Sequence, residues 1–162
     1  MSYPPLPEPL EVACYDNHTH FDIAYGDEAL SVEEQLVRAA SVGIKGVVQV
    51  GVTLETSKFS AELADKDERV LAAVALHPNE APEYGNLVNL DAAIAEIADL
   101  AKQPRVRAIG ETGLDFFRTE GDVSLKLQQH SFEEHIRIAK ENNIALMIHD
   151  RDAHDQVVET LL

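Results

Sequence analysis

Apolar positions along the chain follow two alternating rhythms. Short, nearly continuous apolar runs occupy residues 12–17, 44–50, 70–76, 106–110 and 144–148, and they read as β-strands. Between them, apolar residues recur every three or four positions, the spacing of an amphipathic helix. Val32, Leu36, Ala39 and Ala40 form the first such stripe, which Gly43 stops. Ser31 and Glu34 provide a capping box at its start. A second helix covers 54–64. A third covers 90–102 through Leu90, Ile94, Ile97, Leu100 and Ala101, and Pro104 ends it. The strongest covers 124–142, with Leu125, Gln129, Phe132, Ile136 and Ala139 along one face. Asp152 reads as the N-cap of a last helix, which runs to Leu161 and Leu162.

Five strand-then-helix units in strict order imply parallel strands joined by helical crossovers. The run 70–76 is apolar throughout, as in a strand buried on both faces. This α/β pattern suits either an open doubly wound sheet or a (β/α)8 barrel. The polar residues decide. Four of the five runs end in a metal-capable side chain: His18 with His20, then His77, Glu111 and His149. A barrel gathers the C-terminal ends of its strands at one mouth, whereas an open sheet spreads them along a line. Convergence favours the barrel. Such barrels use about 250 residues, so 162 residues with about five βα units imply an incomplete one. Residues 1–11, with four prolines, read as an extended arm on the surface, and 12–162 as the barrel portion.

His18 and His20 are two apart, so in a strand their side chains share a face, with Cα atoms roughly 6–7 Å apart. Metal–nitrogen bonds of about 2 Å let both rings reach one ion. Glu111 sits between Gly110 and Thr112-Gly113, in what reads as a tight turn after the strand, and suits a metal-bridging carboxylate. His149 follows an apolar run and reads as a ligand. His77 precedes Pro78, where a catalytic or substrate contact and a plain turn residue are both open readings. Asp16 shares the face of His18 and His20 and is placed to orient or supplement them. His130, His135 and His154 read as surface residues.

Composition narrows the chemistry. The net charge is −16, with acids spread along the whole chain. That field repels nucleic acid unless cations intervene, which excludes a classical basic DNA-binding module but not an enzyme that grips phosphate through bound metal. No apolar run is long enough to span a membrane, and the N-terminus lacks the basic start and apolar core of a signal peptide. The single Cys14 fits a reducing cytoplasm and reads as a small buried apolar residue.

Asp16-Asn17-His18-Thr19-His20-Phe21-Asp22, Leu76-His77-Pro78, Ile109-Gly110-Glu111-Thr112-Gly113-Leu114-Asp115-Phe116 and Ile148-His149-Asp150-Arg151-Asp152-Ala153 together resemble the TatD family of metal-dependent deoxyribonucleases, within the amidohydrolase-like barrels. The resemblance implies two divalent ions (Zn, Mn, Mg or Ni) at one site. His18 and His20 would hold the first, Glu111 would bridge both, and His149 would hold the second. It implies hydrolysis of phosphodiester bonds in DNA by activated water. Arg118, just past the Glu111 turn, reads by its position either as a phosphate contact or as a surface ion-pair arginine. Two further family ligands, a histidine after the sixth strand and an aspartate after the eighth, have no counterpart here, so activity of this chain alone is doubtful. Two rival expectations stand beside this one. The site could hydrolyse an ester, lactone or amide, or the chain could be an inactive half-barrel that self-associates through its open strand edges.

Overall fold

In the computed structural model, which describes residues 4–23 and 29–162, the apolar runs become one parallel sheet. Its strands are β1 (Cys14–Thr19), β2 (Ile44–Val50), β3 (Val70–Val74), β4 (Val106–Asp115) and β5 (Ala145–Arg151), in that spatial order. Helices α1 (Val32–Ser41), α2 (Leu54–Lys66), α3 (Leu87–Leu100), α4 (Asp122–Asn142) and α5 (His154–Leu161) alternate with them. Because each crossover returns the chain to the next place in the sheet, the strands curl progressively into a half-barrel. Residues 1–3, which begin the expected N-terminal arm, lie outside the described residues. Its remainder is exposed, and Leu10 donates its N–H to the Val42 carbonyl at 3.0 Å.

The period-two alternation of the strands separates two apolar layers. Val47, Val70, Ala72, Val74, Val106 and Ile109 face the helices and pack with Leu36, Ala61, Ala64, Leu90, Ile94 and Ile97. Their neighbours Val50, Ala73 and Ala108, with Val48 and Met147, cluster on the opposite face. Leu114, Phe132, Ile136, Ala153 and Val157 form a third cluster that clamps α4 and α5 to the upper part of the sheet. The expected capping box is present: Ser31 donates its N–H to Glu34 Oε2 at 2.8 Å and receives the Glu34 N–H at 3.3 Å.

Several expectations need correction. The strands β4 and β5 extend past the apolar runs that announced them, so Glu111 lies within a strand rather than in a turn, and His149 lies inside β5 rather than at its end. Pairing resumes after an irregularity, with Gly113 opposite His149 and Asp115 opposite Arg151. Gly113 has φ +145°, and a Cβ there would collide with the His149 carbonyl oxygen, so glycine is what lets the two strands close at this point. Cys14 is exposed because β1 lies at the edge of the sheet and is open to solvent along almost its whole length. Ala40, near the end of α1, is also exposed. Asp152 does not cap α5. It adopts φ 55°, and Ala153 takes the N-cap position without a side-chain bond. His130 is half-buried and pairs with Asp91 at 2.6 Å, while His154 is exposed and pairs with Asp150 at 2.9 Å.

His135 is fully buried rather than on the surface. Its ring joins two elements, because Nε2 accepts the Leu76 N–H at 3.0 Å and Nδ1 donates to the Ser131 carbonyl at 2.6 Å. Acceptance at Nε2 requires the neutral ring. Burial pushes the His135 pKa down to about 4, only partly offset by the Ser131 carbonyl and Glu134. The unfolded chain therefore binds this proton more readily than the folded one, and stability falls as pH drops from about 6.5 toward 4. This group alone accounts for a loss on the order of 3 kcal/mol across that window. Urea unfolding of wild type and His135→Gln between pH 4.5 and 7.5 checks it. The wild type should show the steeper loss at low pH, and equal slopes would refute the assignment.

Candidate metal centre

The C-terminal ends of β1, β3, β4 and β5 bring the polar residues to one place. His18 and His20 approach edge to face, with Nε2 atoms 3.2 Å apart. His20 donates from Nδ1 to the Val50 carbonyl at 3.0 Å, which leaves the lone pair on Nε2. Asp16 does not touch either ring. Its carboxylate accepts the His18 backbone N–H at 3.0 Å and so holds the main chain. Beyond His20, the fully buried Gln49 accepts the Phe21 N–H at 2.8 Å and donates to Asp22 at 2.7 Å, which ties the following turn to β2.

Glu111 stands between two groups of potential ligands. One carboxylate oxygen lies 3.4 Å from His18 Nε2. The other lies 3.0 Å from His149 Nδ1 and 3.8 Å from His77 Nε2. The ligand atoms of His18, His20 and Glu111 all fall within 4.8 Å of one another, and so do those of His77, Glu111 and His149. Lone pairs crowded this closely repel unless a cation or extra protons lie among them. A mixed nitrogen and oxygen donor set around a shared carboxylate fits divalent ions, and the nitrogen content suits Zn²⁺, Mn²⁺ or Ni²⁺ better than Mg²⁺.

His77 and His149 face each other with ring centroids 4.4 Å apart and Nε2 to Nδ1 at 3.2 Å. Burial and then the neighbouring His149 push the His77 pKa down to about 4, against the pull of Glu111 and Asp115. His77 Nδ1 accepts the Asn79 N–H at 3.2 Å.

Behind His149 lies Asp115, which is fully buried. Burial would raise its pKa, but hydrogen bonds from the Arg118 N–H, the Asn79 amide and His149 outweigh it and hold the carboxyl below its ordinary value. Gln128, also fully buried, accepts the Asp115 N–H at 2.9 Å and donates to Thr119 Oγ1 at 2.8 Å. Asp115, Asn79 and Gln128 carried no assigned role in the sequence. The signal for Asp115 was its even spacing from Glu111, which puts both on one face once β4 is known to continue.

Arg118 is exposed and lines an open cleft of about 310 Å³ with Asn79, Thr119 and Ser124. Its charge reaches His77, and its guanidinium pairs with no carboxylate among the described residues. Among the described residues, no helix is long and apolar enough to cross a membrane.

The family model described as TatD related DNase matches residues 15–162. An uncharacterized metal-dependent hydrolase TatD of Mycobacterium tuberculosis is 40% identical over 149 residues, covering 90% of this chain and 54% of the relative. A 3'-5' ssDNA/RNA exonuclease TatD of Cronobacter sakazakii is 31% identical over 129 residues, covering 80% and 46%. Among solved structures, the TatD homolog YjjV of Escherichia coli superposes with a TM-score of 0.75 at 24% identity, over 92% of this chain and 54% of its own. The chain thus spans about half the length of the curated relatives it matches. A match running from β1 to the end of α5, over the same strands that deliver the histidines and Glu111, makes this chain a member of the TatD family of metal-dependent hydrolases.

Proposed function

We propose that this chain carries the part of a two-metal centre formed by β1, β3, β4 and β5, in a hydrolase that cleaves phosphodiester bonds of nucleic acid. The observation that carries the reading is the position of Glu111, with one oxygen toward His18 and the other toward His149. A carboxylate so placed can serve two ions at once, with His18 and His20 on one side and His149 on the other. Divalent ions held there supply positive charge toward phosphate oxygens and lower the pKa of water. Relatives named as 3'-5' ssDNA/RNA exonucleases support nucleic acid as the substrate class.

The protein's own side chains would do the remaining work. His77 stands beside Glu111 within reach of a phosphate oxygen, and its neutral state at physiological pH follows from its burial. Arg118, which pairs with no carboxylate among the described residues, would offer a two-pronged contact to a phosphate at the mouth. A net charge of −16 makes local cations a requirement for drawing in a polyanion.

Zinc or manganese titration by calorimetry, with metal content measured after dialysis, tests the centre. Wild type should take up two equivalents. Glu111→Gln, which keeps the shape and removes the charge, should weaken binding by more than about 100-fold, beyond the range typical when only an outer partner of a ligand is lost. Two equivalents retained at full affinity would refute the bridging role.

A substrate panel tests the chemistry. In a full-length version of the protein, bis-p-nitrophenyl phosphate should turn over in a metal-dependent manner that EDTA abolishes, while p-nitrophenyl butyrate and a simple lactone should not. Ester or lactone turnover without phosphodiester turnover would overturn the nuclease reading in favour of a related hydrolase.

A further inference from the structure

We propose that Asn79 and Asp115 are positioning residues that assign the hydrogens on two facing imidazoles, making His149 a metal ligand and His77 a hydrogen-bond donor. This rests on the metal centre proposed above and divides its histidines into two kinds. The spacing of potential ligand atoms alone groups His77 with His149 and Glu111 as equals. The hydrogen bonds behind the rings do not.

A backbone N–H can only donate, so the Asn79 N–H at 3.2 Å makes His77 Nδ1 an acceptor. The hydrogen of the neutral His77 ring then sits on Nε2, the atom that faces His149 and Glu111. A ring in that state has no lone pair left for a metal, and it presents an N–H to whatever oxygen lies in the centre. An ionised carboxylate can only accept, so Asp115 Oδ2 at 3.1 Å requires a hydrogen on His149 Nε2. The lone pair of the neutral His149 ring is therefore on Nδ1, which points at Glu111 from 3.0 Å. This is the arrangement in which a ligating histidine donates its other N–H to a carboxylate.

A directed chain of hydrogen bonds fixes Asp115 in this role. Gln128 accepts the Asp115 N–H, so its amide NH2 points at Thr119 Oγ1, 2.8 Å away. The Thr119 hydroxyl then donates to Asn79 Oδ1 at 3.3 Å. That orients the Asn79 NH2 toward Asp115 Oδ2, 3.1 Å away. The other carboxylate oxygen, Oδ1, accepts the N–H groups of Phe117 at 3.0 Å and Arg118 at 2.8 Å. Asp115→Asn cannot be accommodated silently. The two backbone donors hold an oxygen at the Oδ1 position, so the new NH2 group must take the Oδ2 position. There it forces His149 Nε2 to accept and moves the ring hydrogen to Nδ1, where the ligand lone pair had been.

Long-range ¹H–¹⁵N spectra of the histidine rings in the zinc-loaded chain test the assignment directly. Both His77 and His149 should carry hydrogen on Nε2, with His149 Nδ1 bare and shifted by the metal. Asp115→Asn should weaken zinc on the His149 side by about 10–100-fold while the His18 and His20 side keeps its affinity. His77→Gln should retain both zinc equivalents, and His149→Gln should lose one. Zinc bound while His149 carries hydrogen on Nδ1, or an equivalent lost in His77→Gln, would overturn this inference alone. Absence of zinc binding altogether would overturn the metal reading as well. The wild-type spectrum decides the question even where a variant fails to fold.

Discussion

Groups that repel one another must be held together before any ligand arrives. His18, His20, His77, Glu111 and His149 present nitrogen and oxygen atoms at separations of 3.0–3.8 Å, and apart from the His77 Nε2 hydrogen toward His149 Nδ1, little in their direct contact favours that. The scaffold has to impose it. Parallel strands in sequential order bring four C-terminal ends to one rim, and the rings are then locked from behind by the Val50 carbonyl, the Asn79 N–H and Asp115. No buried side-chain nitrogen or oxygen among the described residues lacks a partner, so the polar layer beneath the centre adds rigidity without the penalty of an unsatisfied group.

The same constraint explains why buried and half-buried polar residues gather below the site. Gln128, Thr119, Asn79 and Asp115 form one hydrogen-bonded unit between α4 and the loops after β3 and β4. His135 does a similar job one layer further down, where its ring fastens Leu76, the residue before His77, to α4. An apolar core would stabilise the helix against the sheet equally well, but it could not fix which ring nitrogen carries a hydrogen. Polar burial here determines the chemistry at the rim as well as the packing.

Much of this was legible in the chain. Apolar alternation with helical stripes gave five βα units, and the residues at the strand ends gave the ligand candidates. What was hidden followed from reading strands by apolar content. β4 and β5 continue through Gly113, Asp115 and Asp150, where polar and small residues carry the backbone pairing, so Glu111 looked like a turn residue and His149 like the last residue of its strand. Helical spacing placed Leu125 and Gln129 on the inner face of α4, but the fully buried stripe includes Gln128 and His135, two polar residues that no hydrophobic pattern selects. Cys14 and Ala40 failed in the opposite sense. Their apolar character predicted burial, but Cys14 lies on the open edge strand and Ala40 on an exposed position of α1.

That edge also makes the two sides of the centre mechanically unequal. His149 rests on β5, the other edge strand, but β4 beside it is buried for most of its length and its partner Asp115 is 1% exposed. His18 and His20 come from β1, an edge strand that is exposed almost throughout, and their anchors are the Asp16 carboxylate and a carbonyl of β2. His18 itself is 37% exposed. Local opening is easiest where few apolar contacts must be broken, so the β1 side has the weaker hold on its geometry and the β5 side the stronger. Glu111 belongs to β4, on the firmer side. The shared carboxylate is therefore positioned by the rigid half of the centre, and the pair of histidines on β1 must come to it.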